Sequence, residues 1–169
     1  MEVKRGDKLL DENAYLAWQD LVENHLKLTQ SLEWFFSTEV DRIEVLRHGF
    51  QKGHLPAVLY AIAYMESTEI SELLNELVWF ATSHGYAQAI HKIVGSLPRQ
   101  VITEKVLPVI EETLSHQPTD DEYRRILELC VELDRKFACR LAQQALLHPN
   151  AGIRETGEDV IQLLGCDKV

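Results

Sequence analysis

HPNAGIRETGEDVIQLLG, residues 148–165, is the stretch whose reading decides the fold. Pro149 stops whatever helix precedes it, because proline lacks the N–H a helix interior needs. Ile153 and Arg154 follow, and then small or apolar side chains at Gly157, Val160, Ile161 and Leu164. That spacing lays one stripe along one face of a helix. Gly165 closes it, as glycine commonly does at a helix C-terminus. The stretch therefore predicts an amphipathic helix set between a proline turn and a glycine stop.

Working backwards, the logic of this stretch recurs at a period of 32 residues. One column holds Val45, Leu77, Val109 and Leu141, and the next Leu46, Val78, Ile110 and Ala142. Four positions further lie Phe50, Thr82, Leu114 and Leu146, and Arg42, Leu74, Val106 and Ala138 form another column. These positions share one helical stripe, so each unit begins with a helix that faces a common core. First helices are predicted at about 38–50, 70–82, 102–114 and 134–146, and second helices at about 54–65, 86–97, 119–133 and 150–164. The punctuation agrees: Gly53 and Gly85 stop first helices, Pro98 stops a second one, and Thr119-x-x-Glu122 forms a capping box. Internal repetition at this length signals a solenoid.

The predicted organisation is a flexible tail at 1–11, an N-terminal helical cap at 12–37 and repeats over 38–169, all as one domain. The repeat units are 38–65, 70–97, 102–133 and 134–165. Within the cap, Ala14, Trp18, Leu21, Val22, His25 and Leu26 recur at helical spacing over 12–29, followed by a short aromatic-rich segment, Ser31–Phe36. Strand alternation is absent from the sequence.

The segment VLPVIEETLSHQPTDDEYRRILELCVEL, starting at Val106, resembles HEAT repeats. It carries a proline after two apolar residues at Val106-Leu107-Pro108, a turn at Gln117-Pro118 and an apolar-Arg step at Tyr123-Arg124. The last unit repeats this with His148-Pro149 and Ile153-Arg154. Units one and two have a glycine turn and no apolar-Arg step, and the period is shorter than the ~40–47 residues usual for the family. The resemblance implies an all-α fold, an α-α superhelix in the form of a short HEAT-like solenoid.

Composition narrows the partner. The formal net charge is −10, and residues 100–134 carry nine Asp/Glu against three Lys/Arg. A nucleic-acid groove needs the opposite field, so nucleic acid is not expected; the acidity either keeps the chain in solution or steers a basic protein, the partner expected here, towards it. The polar start MEVKRGDKLLDEN has no apolar core of a leader peptide, and the longest apolar run, Ala57–Met65, is far below the ~20 residues of a membrane span. A cytoplasmic chain that does not enter membranes is expected. Cys130, Cys139 and Cys166 form no CxxC pair and are odd in number. They predict neither a disulfide framework nor a zinc site, with Cys130 and Cys139 as small core residues.

The sequence carries no catalytic or metal-binding constellation. His84, His116 and His148 fall 32 residues apart, but stacked helices ~8–10 Å apart cannot bring them round one ion. They read instead as donors at helix C-termini. Glu111-Glu112 and Glu158-Asp159 are adjacent acids that point in different directions on a helix. There is no GxGxxG, Walker or HExxH sequence and no nucleophile motif. No enzyme, cofactor or metal is expected.

Binding residues are more visible. Trp79 projects roughly 140° from the apolar stripe, with Phe80 beside it and Glu72, Glu76 and Glu111 around it. An aromatic within an acidic rim has the composition of a protein-binding hot spot. Tyr60 and Tyr64 leave the core stripe of an otherwise apolar helix. Later second helices are expected to expose Glu128, Glu132, Glu155, Glu158 and Asp159, on the surface that the HEAT resemblance implies for partners. Arg124 and Arg154 are expected to bridge adjacent repeats. A monomer or a weak homodimer through a solenoid end is expected.

In size, acidity and lack of a catalytic set, the chain resembles the immunity proteins that bacteria pair with secreted toxins. That likeness implies occlusion of a basic active site by carboxylates, anchored by Trp79 or the tyrosines. Two other likenesses compete: HEAT-like alkylpurine DNA glycosylases, which require a basic concave face, and HEAT-like lyase chaperones that handle bilin chromophores.

Overall fold

The computed structural model describes residues 12–83 and 85–166. Residues 1–11, expected as a tail, and His84 lie outside the described residues. All regular structure among the described residues is helical. The helices are α1 (Glu12–Ser37), α2 (Arg42–Gln51), α3 (Leu55–Ile62), α4 (Ser67–Ser71), α5 (Leu74–Ala81), α6 (Ala87–Gly95) and α7 (Arg99–Val101), then a π-helical turn (Ile102–Val106), α8 (Leu107–Ser115), α9 (Asp120–Leu133), α10 (Arg135–Ala145) and α11 (Ala151–Leu164). The chain divides after Val40 into two compact bodies.

The first body is α1. It is one continuous helix, where the sequence reading placed a helix to Thr29 and a separate aromatic segment. No residue of it is buried.

The second body is a stack of packed helices, α2 to α11. Within units, α2 packs on α3, α5 on α6 and α10 on α11. Between units, the second helices stack in order, α3 on α6, α6 on α9 and α9 on α11, while α5 stacks on α8 among the first helices. Two layers result, and the core lies between them. The column Leu46, Val78, Ile110, Ala142 is buried in all four copies. The neighbouring column is not uniform: Leu77 and Leu141 are buried, but Val45 is 47% exposed, since α2 opens the stack. Leu146, at the other end, is also exposed.

Local chemistry fixes the helix ends, and three predicted first helices are corrected: that at 38–50 begins only at Arg42, that at 70–82 is broken into α4 and α5, and that at 102–114 begins earlier, with α7 at Arg99. Asp41 caps α2 by accepting from the Glu44 N–H at 3.1 Å. The Thr119 capping box forms, with Glu122 Oε2 accepting from the Thr119 N–H at 2.8 Å. The turn after the first helix takes a left-handed residue at one repeat position in three of the units. Gly53 (φ 73°), Gly85 (φ 92°) and Gln117 (φ 55°) occupy it in units one to three. Glycine adopts this conformation freely, whereas a side chain costs roughly 1 kcal/mol there. Unit four has Pro149 at that position, which cannot take a positive φ, and Asn150 begins α11 instead by accepting from the Gly152 N–H.

Pro108 is accommodated by the π-helical turn that precedes it. The Leu107 N–H reaches back five residues to the Ile102 carbonyl, so the wider turn relieves the carbonyl that the proline ring would otherwise strike. Two arginines then tie each late unit shut. Arg99, opening α7, donates to the Leu133 carbonyl at 2.6 Å and pairs with Asp134. Arg135, opening α10, donates to the Leu164 carbonyl at the end of α11. Cations suit helix C-termini, where the carbonyls are unsatisfied.

Two expectations need correction. Cys139 and Cys166 form a disulfide, with Cα atoms 5.7 Å apart, while only Cys130 is a buried free thiol. The odd count of cysteines hid the pair: α10 and the residue after α11 are brought together by packing, not by sequence spacing. Closing a loop of this length is worth about 3–4 kcal/mol in the chain-entropy account. Burial pushes the Cys130 thiol far up, so it stays protonated. Arg154, for its part, does not bridge repeats. It donates to the His148 and Pro149 carbonyls, both at 2.8 Å, and so holds its own turn. Arg124 does bridge, reaching Asp159 at 3.4 Å across α9 and α11.

Candidate partner-binding groove

The first-helix layer carries the groove that matters. Residues three and four apart share a helix face, and three such faces converge. They come from α2 (Arg47, Phe50, Gln51), α5 (Asn75, Glu76, Trp79, Phe80) and α8 (Val109, Glu112, Thr113, His116). The open trough between them holds about 540 Å³. Phe50 is its floor, almost fully buried, and Phe80 stacks on it with ring centroids 5.3 Å apart and planes 13° from parallel. That stack fixes α2 against α5. Trp79 stands at the margin with 56% of its surface open to solvent. It also borders a smaller hollow formed with Thr82, His116, Pro118 and Ile126.

The charges in the trough are arranged around Arg47. Its Nε meets Glu76 Oε1 at 3.1 Å, another nitrogen meets Glu44 at 2.8 Å, and a third donates to the Glu72 carbonyl at 2.8 Å. The Glu44 hydrogen bond is the main reason that the Arg47 pKa is raised. All these contacts lock the guanidinium to one wall. The other oxygen of Glu76, Oε2, is buried and has no hydrogen-bond donor. Such a group carries a desolvation cost until a donor reaches it. Across the trough, Glu112 is exposed and makes no ion pair among the described residues. His116 is turned away from ligation, its Nδ1 2.8 Å from the Glu112 carbonyl at the end of α8.

The sequence-predicted residues divide between the two layers. Trp79, Phe80 and Glu76 meet in the trough, and Glu72 borders it through its backbone. Glu111 faces the next cleft, of about 350 Å³, with Leu114, Tyr123, Leu141, Gln144 and His148. There it pairs with Arg140 at 2.8 Å. Tyr60 and Tyr64 lie on α3 and just after it, in the second-helix layer. Their hydroxyls are 3.3 Å apart and their rings 5.4 Å apart, and the hydrogen bond to Tyr64 raises the Tyr60 pKa. Glu128, Glu132, Glu155, Glu158 and Asp159 are exposed along that same layer. Glu132 is engaged by buried His91 (Nδ1 at 3.1 Å) and Asp159 by Arg124. The twelve residues thus do not form one surface.

Compared with known families, curated proteins and solved structures, the chain matches none.

The acidic rim read from the sequence is also more neutral than expected, because Arg47 and Arg140 answer Glu76 and Glu111. Sequence reasoning missed Arg47, Phe50 and Glu112 as site residues. Phe50 was assigned to a core column, and it is indeed buried. Its other role, as the floor beneath Phe80, needs the stacking of α2 on α5 to be seen. Within the histidine column, whose His84 lies outside the described residues, the His148 ring accepts from the Asn150 N–H at 3.1 Å, which corrects its reading as a donor at a helix end. Among the described residues, no three His, Cys, Asp or Glu side chains converge on a metal-sized site.

Proposed function

We propose that this chain is a non-enzymatic, HEAT-like protein-binding scaffold whose first-helix trough receives a basic side chain from a protein partner. The observation that carries the reading is exposed Trp79 beside the Glu76 carboxylate, above the Phe50–Phe80 stack in one open trough. An arginine or lysine entering there finds three things at once. The indole face attracts the cation, and the Glu76 carboxylate and Glu112 on the far wall supply negative potential. Phe50 and Phe80 supply an apolar base along which the aliphatic stem lies. Mechanistically this is occlusion: the scaffold covers the partner's basic residue and withdraws it from whatever it does.

The profile of size, acidity and missing catalytic set supports the narrower reading of an immunity protein that neutralises a toxin in this way. The overall charge of −10 steers a basic partner towards the surface and makes association salt-sensitive. The four-unit helical repetition supports HEAT-like kinship. No described helix is long and apolar enough to cross a membrane, and the Cys139–Cys166 disulfide fits an oxidising compartment better than the cytoplasm expected from the sequence.

The test is affinity capture with the immobilised protein at low and high salt, run beside a Trp79→Ala/Glu76→Gln variant. The expected result is a basic protein retained at low salt, released by salt and lost from the variant. Retention that is indifferent to both salt and variant removes the trough from the mechanism.

A further inference from the structure

Helix α8 stands as a ridge between two hollows. Val109, Thr113 and His116 turn one flank to the trough, while Leu114 on the opposite flank lines the cleft shared with α10. Glu111, Glu112 and Ser115 form the exposed crest between them. A helix with its side chains is about 10–12 Å across, so the two hollows lie about 10 Å apart. Their charges differ. On the trough side Glu112 makes no ion pair among the described residues, whereas Glu111 beside the cleft is answered by Arg140 at 2.8 Å. The trough therefore suits a cation and the cleft an uncharged side chain. Free carboxamides lie in both. Gln51 and Asn75 line the trough and Gln144 the cleft, all three exposed and without a side-chain hydrogen bond among the described residues. A carboxamide donates and accepts together, which matches the backbone of an extended chain; a helix pairs those groups within itself.

We infer that the docking element of the basic partner is an extended segment crossing α8, with its basic side chain in the trough and, three residues further, an uncharged polar side chain in the cleft. This rests on the trough reading above and adds the form of the partner. A polyproline II chain has three residues per turn and rises ~3.1 Å per residue, so positions i and i+3 face the same way about 9 Å apart. That matches the width of the ridge. A β-strand shows one face at every second residue, about 7 or 13 Å apart, and misses it. Within the cleft, the Asn150 N–H donates to His148 Nδ1 at 3.1 Å, so a neutral ring carries its proton on Nε2. His148 and Gln144 together offer donors and an acceptor, the complement of a guest carboxamide, beside the apolar side chains of Leu114 and Leu141. Asn75 lies four residues before Trp79, on the same face of α5. It is placed to bond the backbone of the segment where the basic residue enters.

Two probes titrated into the full chain and followed by heteronuclear NMR test this. One is N-acetylarginine amide; the other is the capped peptide Ala-Pro-Arg-Ala-Pro-Gln-Pro-Ala, whose prolines hold it extended. The peptide is expected to bind about tenfold more tightly than the single arginine, with shifts on both flanks of α8. Gln144→Ala is expected to remove that gain and leave the single arginine as it was. Moving the glutamine next to the arginine in the peptide is expected to remove the gain as well. Trp79→Ala is expected to weaken both probes. Equal affinity of the two probes, or a gain that survives Gln144→Ala, overturns the extended segment while the trough reading stands. A helical, alanine-rich peptide that carries the same arginine and binds as tightly overturns it too. If neither probe binds, the trough reading falls with it.

Discussion

Gly157 lies in the middle of α11, where glycine ordinarily costs 0.5–1 kcal/mol relative to alanine. Replacing it with alanine should therefore stabilise the helix. The packing reverses the sign. A Cβ at position 157 would lie 2.7 Å from the Ala142 carbonyl oxygen and 2.8 Å from the Ala145 Cβ. Carbon–carbon contacts are comfortable at roughly 3.5–4.0 Å, so α11 must move about 1 Å from α10. Neither obstacle is the far end of a flexible side chain. Overpacking of this kind costs about 1–3 kcal/mol, and subtracting the propensity gain leaves net destabilisation of about 1–2 kcal/mol. For a chain of this size that is a fall in Tm of about 2–8 °C. Gly95 provides the control: it is also helical, but a Cβ there meets nothing within 4 Å. Gly95→Ala is expected to raise Tm by a few degrees. Urea unfolding followed by circular dichroism measures both, with m unchanged if only stability has moved. A rise in stability for Gly157→Ala would refute the close approach of α10 and α11.

Two further outcomes follow from the turns and caps. Gln117→Gly replaces the one described non-glycine residue with positive φ, and relief of the left-handed penalty should raise stability by about 1 kcal/mol in the same urea assay. The Asp134 carboxyl is partly buried, which pushes its pKa up; the Phe137 N–H and Arg99 outweigh this and leave it below the ordinary value. A depressed folded-state pKa contributes stability that is present above the unfolded pKa near 4 and disappears as the pH falls through the folded value. Asparagine caps a helix as well as aspartate does, so Asp134→Asn isolates the charge. Its Tm should lie below wild type at pH 7, and the two melting curves should converge under acid.

The repeat pattern was legible because burial forces it. Leu46, Val78, Ile110 and Ala142 face the core in every unit, and positions under that constraint announce themselves as columns. Trp79 was legible for the complementary reason, a large aromatic on the wrong side of the wheel. What escaped notice does not obey the period. Arg99 and Arg135 do the same work 36 residues apart, because α7 and the π-helical turn lengthen the first half of unit three. The disulfide joins a side chain in α10 to a residue beyond the last repeat, where no earlier copy offers a comparison. The pairing of Glu76 with Arg47 depends on which rotamers two helices present to each other, and a list of acids along the chain does not contain it.

The Cys139–Cys166 bond also gives the repeats a direction. A linear array unfolds from its ends, since terminal units have one neighbour and the others two. Here the ends are unequal. The last unit is a covalently closed loop in which α11 cannot peel away from α10 while the bond is intact. Unit one has no such tether, and its Val45 is open to water. Unravelling therefore starts at α2 and α3 and travels towards the C-terminus. The Phe50–Phe80 stack is among the first contacts to break, and the trough is lost before the scaffold is.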